Sequence, residues 1–317
     1  MSAPPEAGSV AVRRPLHYWQ SGLCLTLLLC GLYLARRHWP TVQHGAGRLA
    51  VADQGWLLVA ATAAVGTWAS SALAQQGAVT ERLPGRRLVA AQFAASAANH
   101  MLPAGLGAGA VNLRFLMRCG LPAGRGASAL AVKATAGAVV RLVLIAALAP
   151  ACPGLLRVPH VPPVLFLAGC GAVATVVGVL LRTRWWPRCR AAVVTVAGDI
   201  RAVHAHPARA AALWGGSLAF AALHSLVLIA VTQAIELPLS PARVMLLYLA
   251  ASGAAALLPT PGGLGSLDAA LALALTASGA PAAAATSAVL GYRLLTVWLP
   301  LLPGLLVLGV LIRRRAL

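Results

Sequence analysis

Long apolar runs alternate with short, arginine-bearing connectors along this chain. A helix needs roughly 20 apolar residues to cross a bilayer. Runs near 16–35, 55–76, 126–149, 162–181, 208–234 and 282–311 meet that length. Two more segments are apolar but interrupted. Residues 88–117 are broken by Pro103, Gly105, Gly107 and Gly109, and residues 242–278 by Pro259, Pro261, Gly262, Gly263 and Gly265. The arm after each break holds only about 12 to 15 residues, too few to span. Irregular backbone survives at membrane depth only where protein or a water-filled cavity satisfies its polar groups. Both segments are therefore expected to be re-entrant hairpins. The expected fold is an all-α polytopic membrane protein, with six full spans plus two Pro/Gly-broken hairpins.

The two hairpins share a pattern. Leu102-Pro103 matches Leu258-Pro259, and Gly105-Leu106-Gly107 matches Gly263-Leu264-Gly265. A loop proline follows each, Pro122 and Pro281, and then a span with one early cation, Lys133 and Arg293. With both termini in the cytoplasm, seventeen Arg lie in cytoplasmic segments and five outside, with Arg36, Arg37 and Arg48 crowding the first outer loop. That asymmetry favours the chosen orientation. The hairpins then enter from opposite sides, which is the inverted-repeat signature of transporters whose site lies where broken helices meet. Repeat A is expected over about 55–150 and repeat B over about 208–311, with 182–207 as a basic cytoplasmic loop between them.

Composition narrows the function classes. The chain is 60% hydrophobic and 10% charged, with a mean hydropathy of +0.82. A soluble domain carries about 25% charged residues. The net charge of +19 raises nucleic acid as a partner. The basic residues sit in loops between apolar runs, however, where they set orientation and meet anionic lipid heads. Membrane lipids are the expected partners, and nucleic acid is not. The six cysteines, Cys24, Cys30, Cys119, Cys152, Cys170 and Cys189, form no CxxC pair and no zinc spacing. No metal or cofactor is expected. The first apolar run is too long for a cleaved signal and ends at Arg36-Arg37. No HExxH, P-loop or dinucleotide turn occurs, so an enzyme is not expected. The Ala-, Arg- and Gly-rich composition suggests a high-GC bacterial source.

Four charges fall inside apolar segments: Asp268, Lys133, Arg141 and Arg293. Each is costly there unless paired or hydrated, so each is a functional candidate. Asp268 follows Gly263-Leu264-Gly265-Ser266 at the start of a half-helix, where an acid caps free N–H groups. It reads either as a cap or as part of a transport route, with Arg293 as its partner in an ion pair. Lys133 and Arg141 are eight apart and share one broad helix face. They suggest a path for an anionic group such as a lipid phosphate, or cations that snorkel to an interface. Asn99 and His100 precede the first break; the histidine either relays protons or satisfies broken backbone. The half-helix N-termini after each turn could receive an anion. His204, His206 and the arginines of 182–209 read as a lipid-facing surface. Ser217 and His224 faintly suggest an intramembrane protease, but the glycine that should follow the serine is missing.

Residues 257–268 read Leu-Leu-Pro-Thr-Pro-Gly-Gly-Leu-Gly-Ser-Leu-Asp, and Gly291-Tyr292-Arg293 follows in the last long span. This resembles the flippase-like transmembrane domain of lysylphosphatidylglycerol synthases and their stand-alone relatives. Pro261, Gly262, Gly263, Gly265, Tyr292 and Arg293 match that family's pattern, and Asp268 stands where glutamate is more usual. The segment from Asn99 to Arg114 matches more loosely, through Ala104 and Leu106. The resemblance implies a domain that moves or presents a lipid across a cell membrane. The chain runs out at Arg313-Arg314-Arg315-Ala316-Leu317, so the aminoacyltransferase half is expected to be absent. The expected activity is translocation of an anionic or polyprenyl-linked lipid. The alternative is a non-transporting partner that scaffolds a separate lipid-modifying membrane enzyme.

Overall fold

A computed structural model describes residues 47–100, 106–153, 186–256, 260, 263 and 265–313. The spans expected near 16–35 and 162–181 lie outside the described residues, as do Pro103, Gly105, Pro259, Pro261 and Gly262. The described residues are helical, without strands. In chain order the helices are α1 (Gln54–Gly77), α2 (Gly85–Asn99), α3 (Leu106–Arg118), α4 (Ala123–Leu148), α5 (Trp186–His204), α6 (Pro207–Ala234), α7 (Pro241–Ala255), α8 (Ser266–Ala277), α9 (Ala282–Arg293) and α10 (Leu299–Arg313). A 3-10 turn, Ala149–Ala151, extends α4, and a π-helical turn, Leu294–Trp298, joins α9 to α10.

Four stretches are long and apolar enough to cross a membrane: Gln54–Gly77, Ala123–Ala151, Pro207–Ala234 and Ala282–Leu311. They coincide with four of the six expected runs. The interrupted segments form two pairs of short helices, α2 with α3 and α7 with α8. The longest of these has 15 residues, about 22 Å at 1.5 Å per residue, short of a hydrocarbon core of about 30 Å.

The bundle is built on α1 against α6. These run antiparallel, tied at one end where the Asp53 N–H donates to the Ala234 carbonyl at 3.0 Å. The Asp53 carboxylate also caps α1 by accepting from the Trp56 N–H at 3.0 Å. Their contact is backbone to backbone. A methyl at Gly77 would overlap the main chain of Ala212 and Leu213, and one at Gly216 would overlap Ala74 and the Ser70 carbonyl. Ala60, Ala63, Ala64, Thr67, Ser70 and Ala74 complete the small, buried seam on α1. Lipid tails are as apolar as leucine, so dispersion at close approach, which small residues permit, drives such pairing.

The other helices dress this pair. On one side α2 packs on α10, with Gly304 against Ala97 and the Phe93 carbonyl; on the other α4 packs on α7 and α6. The α3 and α8 ends are built alike. Gly120 and Gly279 take left-handed φ values of 93° and 99°. The Leu121 N–H then reaches the Leu116 carbonyl and Ala280 that of Leu275, each at 3.1 Å. Glycine tolerates that backbone at no steric cost, and the bonds satisfy carbonyls at the helix end. Pro122 and Pro281 then open α4 and α9.

One expectation needs correcting. Residues 182–207 are not merely a basic loop, because α5 occupies Trp186–His204. Alanine and arginine sustain a helix here, with Pro187 confined to its first turn and no glycine or proline between Pro187 and Gly198. Val196, Ile200 and Val203 turn one face to the core, while Arg190, Arg201 and His204 stay exposed. His204 accepts from the Trp214 indole at 3.0 Å, and its Nδ1 contacts the Ile200 carbonyl at 2.7 Å. This joins α5 to α6.

The seam gives a direct stability test. Gly216→Ala forces α1 and α6 apart and is expected to cost about 1–3 kcal/mol. At Gly137 an added methyl meets open space, so Gly137→Ala is expected to be neutral or to gain up to about 1 kcal/mol of helix propensity. Thermal unfolding in detergent reads both.

Candidate functional site

Polar side chains converge inside the bundle in three groups. The first closes the second helix pair. Before α8 the chain turns through Gly263 and Gly265, at φ values of 71° and 83°. This places Gly265 as the N-cap of α8 and Asp268 in its first turn. Asp268 Oδ2 accepts from the Gly265 N–H at 2.8 Å, while Oδ1 accepts from Arg293 Nε in a close ion pair. Arg293 Nη2 donates to the Gly263 carbonyl at 2.6 Å. The arginine side chain is 6% exposed and the aspartate 32%. Asp268 therefore caps a helix and neutralises a cation at the same time.

The second group surrounds Lys133 on α4. Its ammonium donates to Ser71 Oγ at 2.9 Å and to Gln92 Oε1 at 3.0 Å. Ser71 Oγ also donates to Gln92 Oε1 at 2.8 Å. Gln92 Nε2 donates to Asn112 Oδ1 at 2.6 Å, and Asn112 Nδ2 to the Ala108 carbonyl at 2.9 Å. Helices α1, α2, α3 and α4 are thus sewn together by neutral dipoles around one cation. Among the described residues no carboxylate pairs with Lys133.

The third group joins α6, α7 and α9. The Tyr292 phenol donates to Tyr248 Oη at 3.2 Å and lies 3.0 Å from His224 Nδ1. The Tyr292 hydroxyl thus sits between the imidazole and the second phenol. The His224 and Tyr248 rings lie within 9° of parallel.

Several sequence expectations are redistributed. Asp268 and Arg293 come together. Lys133 and Arg141 do not share neighbours: Lys133 turns to α1 and α2, whereas the Arg141 Cδ lies 3.7 Å from where a Gly253 Cβ on α7 would stand. Gly107 was expected in a turn but lies inside α3, where a methyl would overlap the Ala98 carbonyl. It permits α2 and α3 to cross closely. Asn99 ends α2 and His100 caps it; Asn99 Oδ1 and His100 Nδ1 are buried without a hydrogen-bond partner. His224 bonds to Tyr292, not to Ser217. Ser71, Gln92, Asn112 and Tyr248 were not singled out from sequence. A polar residue inside an apolar run was the available signal, but a search for charge passes over it.

The sequence pattern described as the lysylphosphatidylglycerol synthase TM region matches residues 22–304, most of the 317-residue chain. The chain belongs to that family. It is a membrane-embedded, multi-helix protein, and the matched stretch takes in both short-helix pairs and all three polar groups. No curated protein matches it. In this family member, Gly263 and Asp268 of the first motif meet Arg293 of the Tyr-Arg pair in space.

The Lys133 group yields a stability ordering. Lys133→Met removes the cation and leaves Ser71, Gln92 and Asn112 bonded to one another. Gln92→Leu strips the ammonium of an acceptor, and hydrogen bonds to charged groups are worth about 1.5–3 kcal/mol. In thermal unfolding Gln92→Leu is expected to melt below Lys133→Met; the reverse order contradicts this role for the network.

Proposed function

We propose that this protein is a lipid translocator of the flippase type, moving an anionic or polyprenyl-linked lipid between leaflets of the cell membrane. The observation that carries the reading is the latch on the second short-helix pair. Arg293 is buried at the joint between α9 and the π-helical turn, and its charge is met by Asp268 and the Gly263 carbonyl. A guanidinium keeps its charge under all conditions, so any rearrangement there must give it a replacement acceptor. A lipid phosphate or pyrophosphate is such an acceptor. A π-helical turn often marks a functional site, since its widened ladder is locally weak.

Six spans, re-entrant hairpins and cytoplasmic termini complete the reading. Residues 55–150 and 208–311 form an inverted repeat in it. The packing supports that symmetry: α1 lies on α6, α2 on α10, and α7 on α4. Exchanging the two halves maps this set onto itself. The shared Gly-capped ends of α3 and α8 support it too. Alternating exposure follows when one half rocks against the other about a midplane site. Transport rather than catalysis is the proposed role, and the proposed partners are lipids.

The test is leaflet exchange in proteoliposomes, read as accessibility of fluorescent lipids to an external quencher. The wild type is expected to exceed empty vesicles for at least one anionic or polyprenyl-linked lipid. Asp268→Ala is expected to lose most of that rate while Gly137→Ala keeps it. If lipids of several classes move no faster than in empty vesicles, the translocator reading fails.

A further inference from the structure

The hydrogen-bonded group around Lys133 has a counterpart in the other half of the chain. Ser71 and His224 stand equally far from Gln54 and Pro207, the first residues of α1 and α6. The same holds for Gln92 and Tyr248, counted from Gly85 in α2 and Pro241 in α7. It holds again for Lys133 and Tyr292, counted from Ala123 in α4 and Ala282 in α9. Each set joins the first, second and fourth helices of its half. In each, the residue on the fourth helix bridges the other two. Lys133 Nζ lies 2.9 Å from Ser71 Oγ and 3.0 Å from Gln92 Oε1. Tyr292 Oη lies 3.0 Å from His224 Nδ1 and 3.2 Å from Tyr248 Oη.

The two sets do the same structural work with different charge. In the second half a phenol at the bridging position ties three helices together, so the tie needs no cation there. In the first half the bridging residue is a lysine, and an ammonium among apolar helices is costly unless it is paired or hydrated. The cation beside Tyr292, Arg293, is met by Asp268. Among the described residues no carboxylate meets Lys133. An ammonium carries three N–H donors. Ser71 and Gln92 take two, and among the described residues the third has no acceptor. The network is also open on one side. Gln92 and Asn112 are 5% and 7% exposed and close its inner face, whereas Ser71 and Lys133 are half-buried at its rim. An oxyanion reaching that rim supplies both the missing charge and the missing acceptor. A lysine serves phosphate well as a compact point charge.

We propose that Lys133, held in place by Ser71 and Gln92, is a seat for a phosphate oxyanion and the residue that selects anionic head groups. This deepens the translocator reading and rests on it. Ser71 and Gln92 are positioning residues: they aim the ammonium, and the lysine touches the ligand.

The test is a calorimetric titration of the detergent-solubilised full chain at constant ionic strength. Two probes are used: inorganic phosphate and dihexanoyl-phosphatidylglycerol, with sodium chloride as the control. Saturable binding of the short-chain lipid alone assigns the seat to lipid phosphate; comparable binding of inorganic phosphate assigns it to the free ion. Lys133→Met is expected to weaken binding about tenfold or more, as loss of a charged hydrogen bond implies. Lys133→Arg keeps the charge and is expected to recover part of the loss. Should Lys133→Met not fold, Ser71→Ala carries the test, with an expected loss of several-fold. The seat is overturned if neither probe saturates the wild type. It is overturned equally if Lys133→Met, or Ser71→Ala in its place, binds as the wild type does. Unchanged binding in the variant with leaflet exchange intact sinks the seat alone, whereas lysine-dependent binding with no exchange sinks translocation alone.

Discussion

A guanidinium enclosed by apolar helices must be given acceptors, because it cannot shed its proton and bare burial costs several kcal/mol. Arg293 meets that demand with two groups from the same turn, the Asp268 carboxylate and the Gly263 carbonyl. Both lie at the start of α8, so the arginine fixes where the short helix begins relative to the last span. The constraint runs both ways. Asp268 is needed by the Gly265 N–H as well, so α8 loses its cap if the acid turns away. Charge, cap and the start of α8 form one coupled unit.

The α1–α6 seam makes that coupling mechanically useful. Where Gly77 and Gly216 bring backbones together, helices have little freedom to slide. The short pairs hang on either side of this spine and meet the opposite half through α4 and α10. Close contacts at Gly304 against α2 and Gly291 against Val231 place the two ends of the last span on different partners. The π-helical turn lies between them, directly after Arg293. Release of the arginine would therefore act first on that π-helical turn. The Lys133 network has the opposite character. Its neutral dipoles hold four helices around a cation that no carboxylate among the described residues meets.

Much of the scaffold was readable from the chain. Six apolar runs predict six long helices, since little else satisfies backbone groups in lipid, and four of them coincide with long helices among the described residues. Proline and glycine clusters marked the interruptions, and the short second arms appear as α3 and α8. The pairing of Asp268 with Arg293 was legible because only one acid lies in an apolar segment. The rest was hidden for physical reasons. Spacing tells which helix face a cation occupies, not which neighbour that face meets, so Lys133 and Arg141 were grouped although their surroundings differ. Ser71, Gln92 and Asn112 carry no charge and barely mark hydropathy. The α5 helix was masked by its arginines, which read as a loop although its apolar face at Val196, Ile200 and Val203 has helical spacing. Gly107 reads as a turn residue because turns and close helix crossings call for the same amino acid.

The central claim is that the Arg293–Asp268 pair is a latch that opens, and cysteine accessibility beside it tests this most directly. Ser266 is buried at the start of α8, hydrogen-bonded to Thr260 at 2.6 Å. Ser266→Cys would be introduced into a background with the six native cysteines replaced, and labelled in sealed vesicles with an impermeant thiol reagent. The expected result is slow labelling with the pair intact and about tenfold faster labelling when Asp268→Asn is added, equivalent to roughly 1.4 kcal/mol of opening, with no change for Lys133→Met. Equal labelling rates with and without the carboxylate would contradict the latch.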